Sequence, residues 1–118
     1  MANIFKIVTK ADVSDDSGEP TELFEVPSLK TEVVLSLLLA NKHTQSVSAT
    51  VILDSDTTQA GADANTAVYI IKDVIIDIGN SLEIMGGQKY ILNATDMLKV
   101  YADNENIDVV LSYMEQDV

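Results

Sequence analysis

The residues best suited to chemistry in this 118-residue chain are carboxylates gathered in two polar segments. They are Asp12, Asp15, Asp16 and Glu19 in the first segment, and Asp103, Glu105 and Asp108 in the second. Several carboxylate oxygens on a flexible loop are what a hard cation such as Ca²⁺ prefers. Neither segment follows the D-x-[DN]-x-[DN]-G pattern with its terminal Glu. We therefore interpret both segments as solvated acidic loops and predict no metal site.

The chain offers few groups for acid–base or nucleophilic catalysis. Its one histidine, His43, lies in a polar turn, and no G-x-S-x-G elbow accompanies it. A glycosidase needs two carboxylates held across a cleft, whereas the acids here fall in loops or on predicted solvent faces. Gly86-Gly87 lacks the Lys-Ser/Thr of a phosphate-binding loop and is interpreted as a hairpin turn. We therefore predict that the protein is not an enzyme and has no cofactor.

The charge balance argues against several classes of partner. The 7 Lys and Arg residues against 19 Asp and Glu give a net charge of −12, which disfavours nucleic acid and anionic membrane surfaces. No apolar stretch approaches the roughly 18 residues of a membrane-spanning helix, and the first segment has no signal-peptide core. We therefore predict synthesis in a cytoplasm, with neither a nucleic-acid nor a membrane partner. The lack of Cys removes disulfides and thiolate chemistry.

The acidic segments and turns separate short stretches with the two-residue alternation typical of β-strands. We predict about eight strands, drawn from residues 3–9, 21–26, 31–41, 46–54, 68–78, 81–85, 89–92, 97–102 and 107–114. Such spacing is typical of an all-β protein with an antiparallel β-sandwich, here of jelly-roll-like type. We predict a single domain over residues 1–118, with a short N-terminal strand or arm at residues 1–20.

Two of these segments allow a second interpretation. Residues 31–41 also have apolar residues at helical spacing, but we favour a strand because no clear helix cap is present. Residues 68–78 form one long strand, or two strands joined by a kink near residues 72–73. Residues 46–54 alternate most regularly, with one side predicted to face the core and the other to face away. The core side is Val47, Ala49, Val51 and Leu53, and the other side is Ser46, Ser48 and Thr50.

Two of the predicted strands are apolar on both faces. Residues 33–40, Val-Val-Leu-Ser-Leu-Leu-Leu-Ala, and residues 68–78 break the alternation expected of a solvated sheet. We infer that one face packs inside the sandwich and that part of the other contacts a second subunit or a shell. The predicted contact residues are Val34, Leu38, Tyr69, Ile71 and Ile75.

Several segments resemble small virion proteins of tailed phages. Leu-Phe-Glu-Val-Pro at residues 23–27 and the strand at residues 31–41 are similar to the opening of those proteins. The resemblance covers most of residues 21–115 and continues at residues 69–74, 79–82, 87–92, 96–100 and 107–115. The chain departs from the family pattern at Asn93-Ala94-Thr95, where Glu-Ala-Gly is usual, and at Ile75, where Pro is usual.

This resemblance implies a β-sandwich virion protein of a marine or cyanobacterial phage, without a catalytic motif. It implies a head decoration (cement) protein, made in the host cytoplasm and placed on the outer surface of the capsid, with the major capsid protein as its partner. Because threefold capsid positions favour trimers, we also predict a homo-oligomer, specifically a trimer. The alternative is a tail or fibre module that recognises a host surface glycan, although few aromatic residues are available for such a site.

Overall fold

Strands account for the regular secondary structure of the computed structural model, which describes residues 3–59 and 61–117. Nine strands follow one another in these residues. They are β1 (Asn3–Lys10), β2 (Thr21–Glu25), β3 (Lys30–Asn41), β4 (Val47–Asp54), β5 (Val68–Ile76), β6 (Ser81–Glu83), β7 (Tyr90–Asn93), β8 (Met97–Ala102) and β9 (Ile107–Asp117). Each predicted strand overlaps one of them. None of the described residues forms a helix long and apolar enough to cross a membrane.

The strands form two antiparallel sheets. The five-stranded sheet has the order β1-β9-β3-β6, with β7 also paired to β3, and the four-stranded sheet has the order β2-β8-β4-β5. Consecutive strands lie in different sheets, with two exceptions. β4 and β5 are neighbours in the four-stranded sheet, and β6 and β7 both pair with β3, one after the other along the same side. This is the strand order of a jelly roll. The predicted all-β, jelly-roll-like sandwich is therefore confirmed.

Aliphatic side chains from both sheets fill the space between them. Fully buried members of this core are Val34, Leu37, Leu39, Leu98, Val100 and Leu111. The core also includes the stacked rings of Phe24 and Tyr113, whose centroids lie 5.1 Å apart. Because only 5% of the residues are aromatic, Val, Ile and Leu have to supply most of the apolar area that is removed from water.

The predicted core side of β4 is confirmed. Val47, Ala49 and Val51 are at most 1% exposed. Thr50, expected on the other side, is also buried, and its hydroxyl accepts a hydrogen bond from the Asp73 backbone N–H at 2.9 Å. The pairing of β4 with β5 shifts register on both sides of Val51, and Asp73 has a φ of 52°. The predicted kink is therefore a pair of irregularities within one continuous strand, β5.

The turn between β6 and β7 requires glycine. Gly86 and Gly87 have φ values of 55° and 88°, which residues with a Cβ rarely adopt. The turn is closed by a hydrogen bond from the Gln88 backbone N–H to the Met85 carbonyl, at 2.8 Å. A turn is present at this glycine pair, but the hairpin predicted there is wrong. β6 and β7 both pair antiparallel with β3, so they run in the same direction instead of pairing with each other.

The N-terminal strand lies in the five-stranded sheet of its own chain. β1 pairs with β9 along its whole length and forms the edge of that sheet. The acidic loop after β1 is anchored by Val13, which is fully buried and whose N–H donates a hydrogen bond to the Ile107 carbonyl at 3.1 Å. The anchored loop thus carries the chain from the five-stranded sheet to β2 of the other sheet.

Candidate interaction surface

The outward side of the five-stranded sheet is apolar. Alternate residues of β1, β9, β3 and β7 point away from the core because their neighbours along each strand point toward it. The register places Phe5 opposite Met114, and Val33 opposite both Met114 and Ile91. We define the apolar outer face by the side chains Phe5, Ile7, Val33, Leu35, Leu38, Ile91, Val110 and Met114.

Side chains at two opposite margins of the apolar outer face are strongly exposed. Phe5 and Ile7 on β1 are 72% and 65% exposed, and Ile91 on β7 is 67% exposed. The face also carries a shallow depression of about 290 Å³, which is lined by Phe5, Lys6, Ile7, Leu35, Ser112 and Tyr113. Adjoining apolar side chains of this size mark an interaction site, whereas single exposed ones are ordinary.

Among the described residues, the outward strand positions of this sheet carry a charge only at its margin. Asp108 is neutralised by Lys42, whose Nζ lies 2.8 Å from its carboxylate. The Glu83 carboxylate accepts hydrogen bonds from the backbone N–H groups of Leu37 and Met85, both at 3.0 Å. The other outward positions of these strands hold apolar or uncharged polar side chains. The centre of the face is therefore free of charge.

The outward side of the four-stranded sheet carries charged groups instead. Lys99 of β8 pairs with Asp54 of β4, with 2.8 Å between Nζ and Oδ2. Glu22 and Glu25 of β2 are exposed. Exposed ion pairs of this kind add little to stability, but they keep the surface hydrated. The outer side of the four-stranded sheet thus mixes charged groups with exposed apolar side chains such as Tyr69 and Ile75. The apolar outer face has an uncharged centre, and it is the candidate site.

The predicted contact residues of β3 point to opposite sides. Val34 is fully buried in the core, so the contact role predicted for it is wrong, whereas Leu38 lies on the apolar outer face. The cause is a bulge, because the pairing of β3 with β9 shifts register between Val34 and Ser36. The extra residue reverses the alternation, so that positions of the same parity before and after it face different ways.

The predicted contact residues of β5 lie on the other sheet. Tyr69 and Ile75 are 53% and 67% exposed, and Lys72 Nζ lies 4.8 Å from the centre of the Tyr69 ring. Ile71 pairs with Val51 and packs against the core. These residues therefore do not join Leu38 in one surface. A contact role for them stays a prediction.

The contact residues predicted from the sequence include only part of the apolar outer face. Leu38 is among the predicted contact residues, but Phe5 and Ile7 are not. The signal that identifies them is present in the first strand, where Phe5 and Ile7 form a second apolar side behind Ile4 and Val8. When a strand at the edge of a sheet is apolar on both sides, the core can cover only one of them. The other apolar side indicates contact with a partner.

Two carboxyl groups face each other inside the sandwich. Glu32 of β3 pairs with Glu115 of β9, and the two residues are 1% and 6% exposed. Lys6 Nζ lies 3.2 Å from each carboxylate oxygen of Glu115. Burial, together with the hydrogen bond to Glu115 and its charge, raises the pKa of Glu32 to about 8. The hydrogen bond with Glu32, followed by Lys6, holds the pKa of Glu115 below its usual value.

A cavity of about 660 Å³ opens between the β4–β5 connection and β7. Part of its wall is a hydrogen-bond network around Asp96, which is 3% exposed. The Asp96 carboxylate accepts hydrogen bonds from the hydroxyls of Ser55 (2.6 Å) and Thr57 (3.2 Å) and from the Asn93 N–H (2.9 Å). Because both carboxylate oxygens already have partners in the chain, we interpret Asp96 as a residue that holds this connection in place.

We expect Asp96→Ala to lower the free energy of unfolding by roughly 2–4 kcal/mol, because it leaves the buried Ser55 hydroxyl without its charged acceptor. Urea unfolding followed by circular dichroism measures this change. Asp56→Ala is the control, because Asp56 is exposed and lies in the β4–β5 connection that Asp96 contacts, and it is expected to shift the free energy by less than about 0.5 kcal/mol. Equal effects of the two substitutions would argue against a structural role for Asp96.

The other residues considered for chemistry make structural contacts. The His43 ring contacts two side-chain amides: its Nδ1 lies 3.1 Å from Asn106 Nδ2, and its Nε2 lies 3.5 Å from Asn104 Nδ2. The two acidic segments meet at Lys42, whose Nζ lies 2.7 Å from Asp12 and 2.8 Å from Asp108. Within residues 3–59 and 61–117, no group of three or more His, Cys, Asp or Glu side chains is placed to hold a metal ion.

Comparison with known proteins shows a fold likeness to chains of virus particles. No family model and no curated protein sequence matches the chain. A chain of the T13 IBDV viral particle matches 96% of this chain and 30% of its own length, with a TM-score of 0.53 and 10% identity. A chain of infectious bursal disease virus, Gx strain, matches 96% of this chain and 32% of its own length, with the same TM-score and identity. The chain thus spans about a third of these viral chains.

A weaker likeness involves a chain of Bacillus endospore appendages, described as disulfide-linked pili. It covers 99% of this chain and 86% of its own length, with a TM-score of 0.45 and 11% identity, which is too distant to bear on function. At 10% identity the viral matches concern the fold alone. The resemblance to tailed-phage proteins in particular stays a prediction. The chain therefore has an all-β fold like that of a part of viral particle chains.

Proposed function

We propose that the protein is a structural component of a tailed-phage virion, where it decorates and reinforces the head shell. One observation carries this proposal: the apolar outer face has an uncharged centre although the chain has a net charge of −12. Proteins that stay alone in solution rarely expose such a face, so it suits a protein made for assembly. The jelly-roll fold and its likeness to chains of virus particles support the same role.

The proposed partners are the major capsid protein and further copies of this chain, in a trimer on the outer surface of the shell. The net charge favours the outer surface, because packaged DNA is densely negative and repels a protein with a charge of −12. The protein is made in the host cytoplasm with the rest of the virion. Reinforcement of a shell requires contact surfaces and neither a cofactor nor a catalytic group, so the absence of enzymatic activity is part of the proposal.

A tail or fibre module that binds a host glycan is the alternative. Jelly rolls also occur in lectins, so the fold by itself does not separate the two roles. The cavity beside Asp96 has polar lining residues that include Gln59, Asn65 and Asn93, but none of its lining residues is aromatic. Sugar rings pack well on aromatic faces, so this cavity lacks a common element of glycan sites. The head shell therefore has the stronger support.

Quantitative mass spectrometry of purified virions tests the proposal. We expect a copy number comparable with that of the major capsid protein, because a decoration protein occupies many symmetry-equivalent positions of the shell. A copy number as low as that of a fibre or tail-tip protein would contradict the head assignment and favour the glycan-binding alternative. Absence from washed virions would reject a structural role in either place.

A further inference from the structure

We propose that the apolar outer face is covered by a second copy of this chain, which presents the same face. This inference rests on the proposed function, since it names a partner for the same surface. A contact between two such faces is sufficient for a dimer. A trimer needs a different, heterologous contact, in which one part of the face meets another part of the face on the next copy. In both assemblies the outer side of the four-stranded sheet, with the Lys99–Asp54 ion pair, stays in water.

Charge is the first argument for a second copy. Two chains with a net charge of −12 repel each other unless their charges lie away from the contact. On the apolar outer face this condition is met, because Asp108 at one margin is paired with Lys42 at 2.8 Å. The Glu83 carboxylate at another margin is engaged by two backbone N–H groups. An uncharged face is thus complementary to a copy of itself.

The area of the apolar outer face is the second argument for a second copy. The face spans β1, β9, β3 and β7, which have 8, 11, 12 and 4 residues. With strands about 4.8 Å apart and a rise of about 3.4 Å per residue, these strands cover roughly 570 Å² in projection. Stable protein–protein contacts bury about 600–1,000 Å² on each partner. Because the accessible area of a surface covered with side chains exceeds its projection, the face is close to the size that a stable contact buries.

The shape of the face is the third argument for a second copy. Ile91 stands 67% exposed at the β7 margin. The depression of about 290 Å³, lined in part by Phe5, Ile7 and Leu35, lies toward the β1 margin. In a contact between two copies, Ile91 of one copy can enter the depression of the other. This arrangement places an aliphatic side chain against Phe5, Ile7 and Leu35 in a depression whose lining is completed by Lys6, Ser112 and Tyr113. It removes apolar surface of both copies from water.

Sedimentation equilibrium of the purified full chain at about 1–100 µM tests the proposal, since contacts of this size commonly have dissociation constants in or below that range. We expect the wild type to sediment as a multiple of 12.8 kDa. Phe5→Asp and Ile91→Asp, at opposite margins of the face, are each expected to raise the dissociation constant about a hundredfold, because each places an unpaired charge in an apolar contact. Salt is expected to strengthen the wild-type association by screening the net charge.

Ile78→Asp is the matched control, because Ile78 is 59% exposed but lies in the turn after β5, outside the apolar outer face. It is expected to leave the dissociation constant unchanged. Circular dichroism checks that all three variants remain folded, which their exposure favours. A monomeric wild type at the highest concentration would overturn the proposal and leave the face to the shell protein. Equal weakening by Ile78→Asp and Ile91→Asp would also overturn it. The copy number in virions is measured separately, so either proposal can fail alone.

Discussion

Val51→Asp is expected to abolish cooperative folding at neutral pH. Val51 is fully buried in β4, where it lies between Val100 of β8 and Ile71 of β5 in the four-stranded sheet. A carboxylate at this position has no cation beside it, and burial of an unpaired charge costs several kcal/mol. The total stability of a chain of this length is roughly 6–18 kcal/mol, so one such group removes a large fraction of it. Thermal unfolding followed by circular dichroism measures the effect.

The control for this substitution lies on the neighbouring strand. Val68→Asp introduces the same group at a position that is 49% exposed, and it is expected to melt close to the wild type. Val51→Ala is expected to stay folded with a loss of roughly 2 kcal/mol, because it leaves a small cavity without a charge. A melting temperature of Val51→Asp within about 5 °C of the wild type would show that the core side of β4 is wrongly assigned.

The stability of the protein is expected to fall as the pH rises from about 4.5 to about 8, because of the buried Glu32. Its pKa is raised to about 8 in the folded state, against 4.5 for the free group. Between these pH values the folded state holds one proton more than the unfolded state, so each increase in pH favours unfolding. Full titration of Glu32 is expected to cost roughly 3–5 kcal/mol. Urea unfolding at a series of pH values measures the change.

Glu115 acts in the opposite sense at lower pH. Its pKa is lowered in the folded state, so its contribution to stability is present above its ordinary pKa and is lost as the pH falls through the lowered value. The charged and titratable groups around the pair are Lys6, Lys30 and Tyr113. The carboxyl pair by itself therefore gives greatest stability in mildly acidic solution.

Glu32→Gln separates this effect from all other titrations. The amide keeps a hydrogen-bond donor toward Glu115 but carries no titrating proton, so the decline between pH 5 and pH 8.5 should disappear. At pH 8.5 the variant is expected to be more stable than the wild type. Glu25→Gln, with the same change at an exposed position of β2, should keep the wild-type pH dependence. An unchanged slope in Glu32→Gln would show that another group is responsible.

The strands of this fold and one of its turns were predictable from residues that lie close together in the sequence. Alternation of apolar and polar residues located the strands, and the glycine pair before β7 located a turn that needs positive φ values. The core side of β4 followed from the same period of two, because no bulge separates Val47, Ala49 and Val51 on their own strand. Where the period is regular, the direction of each side chain depends only on residues next to it in the chain.

The side taken by each residue of β3 was not predictable in this way. Both sides of this strand are apolar, so hydrophobicity cannot choose between Val34 and Leu38. The bulge between Val34 and Ser36 decides the matter, and it exists only in the pairing of β3 with β9. The same register places Glu32 next to Glu115, although the two residues are far apart in the sequence. Neither local sequence indicates that the two carboxyl groups meet.

The sequence by itself determined an all-β, acidic protein whose strands are apolar on more than one side, because composition and period act locally. Only the tertiary structure decided where the second apolar side is continuous. It placed β1 next to β9 and β7 next to β3, and so brought Phe5, Ile7 and Ile91 onto one uncharged face. Strand neighbours and register are settled by the packing of the whole sandwich, so a contact surface assembled from four strands cannot be derived from any one of them.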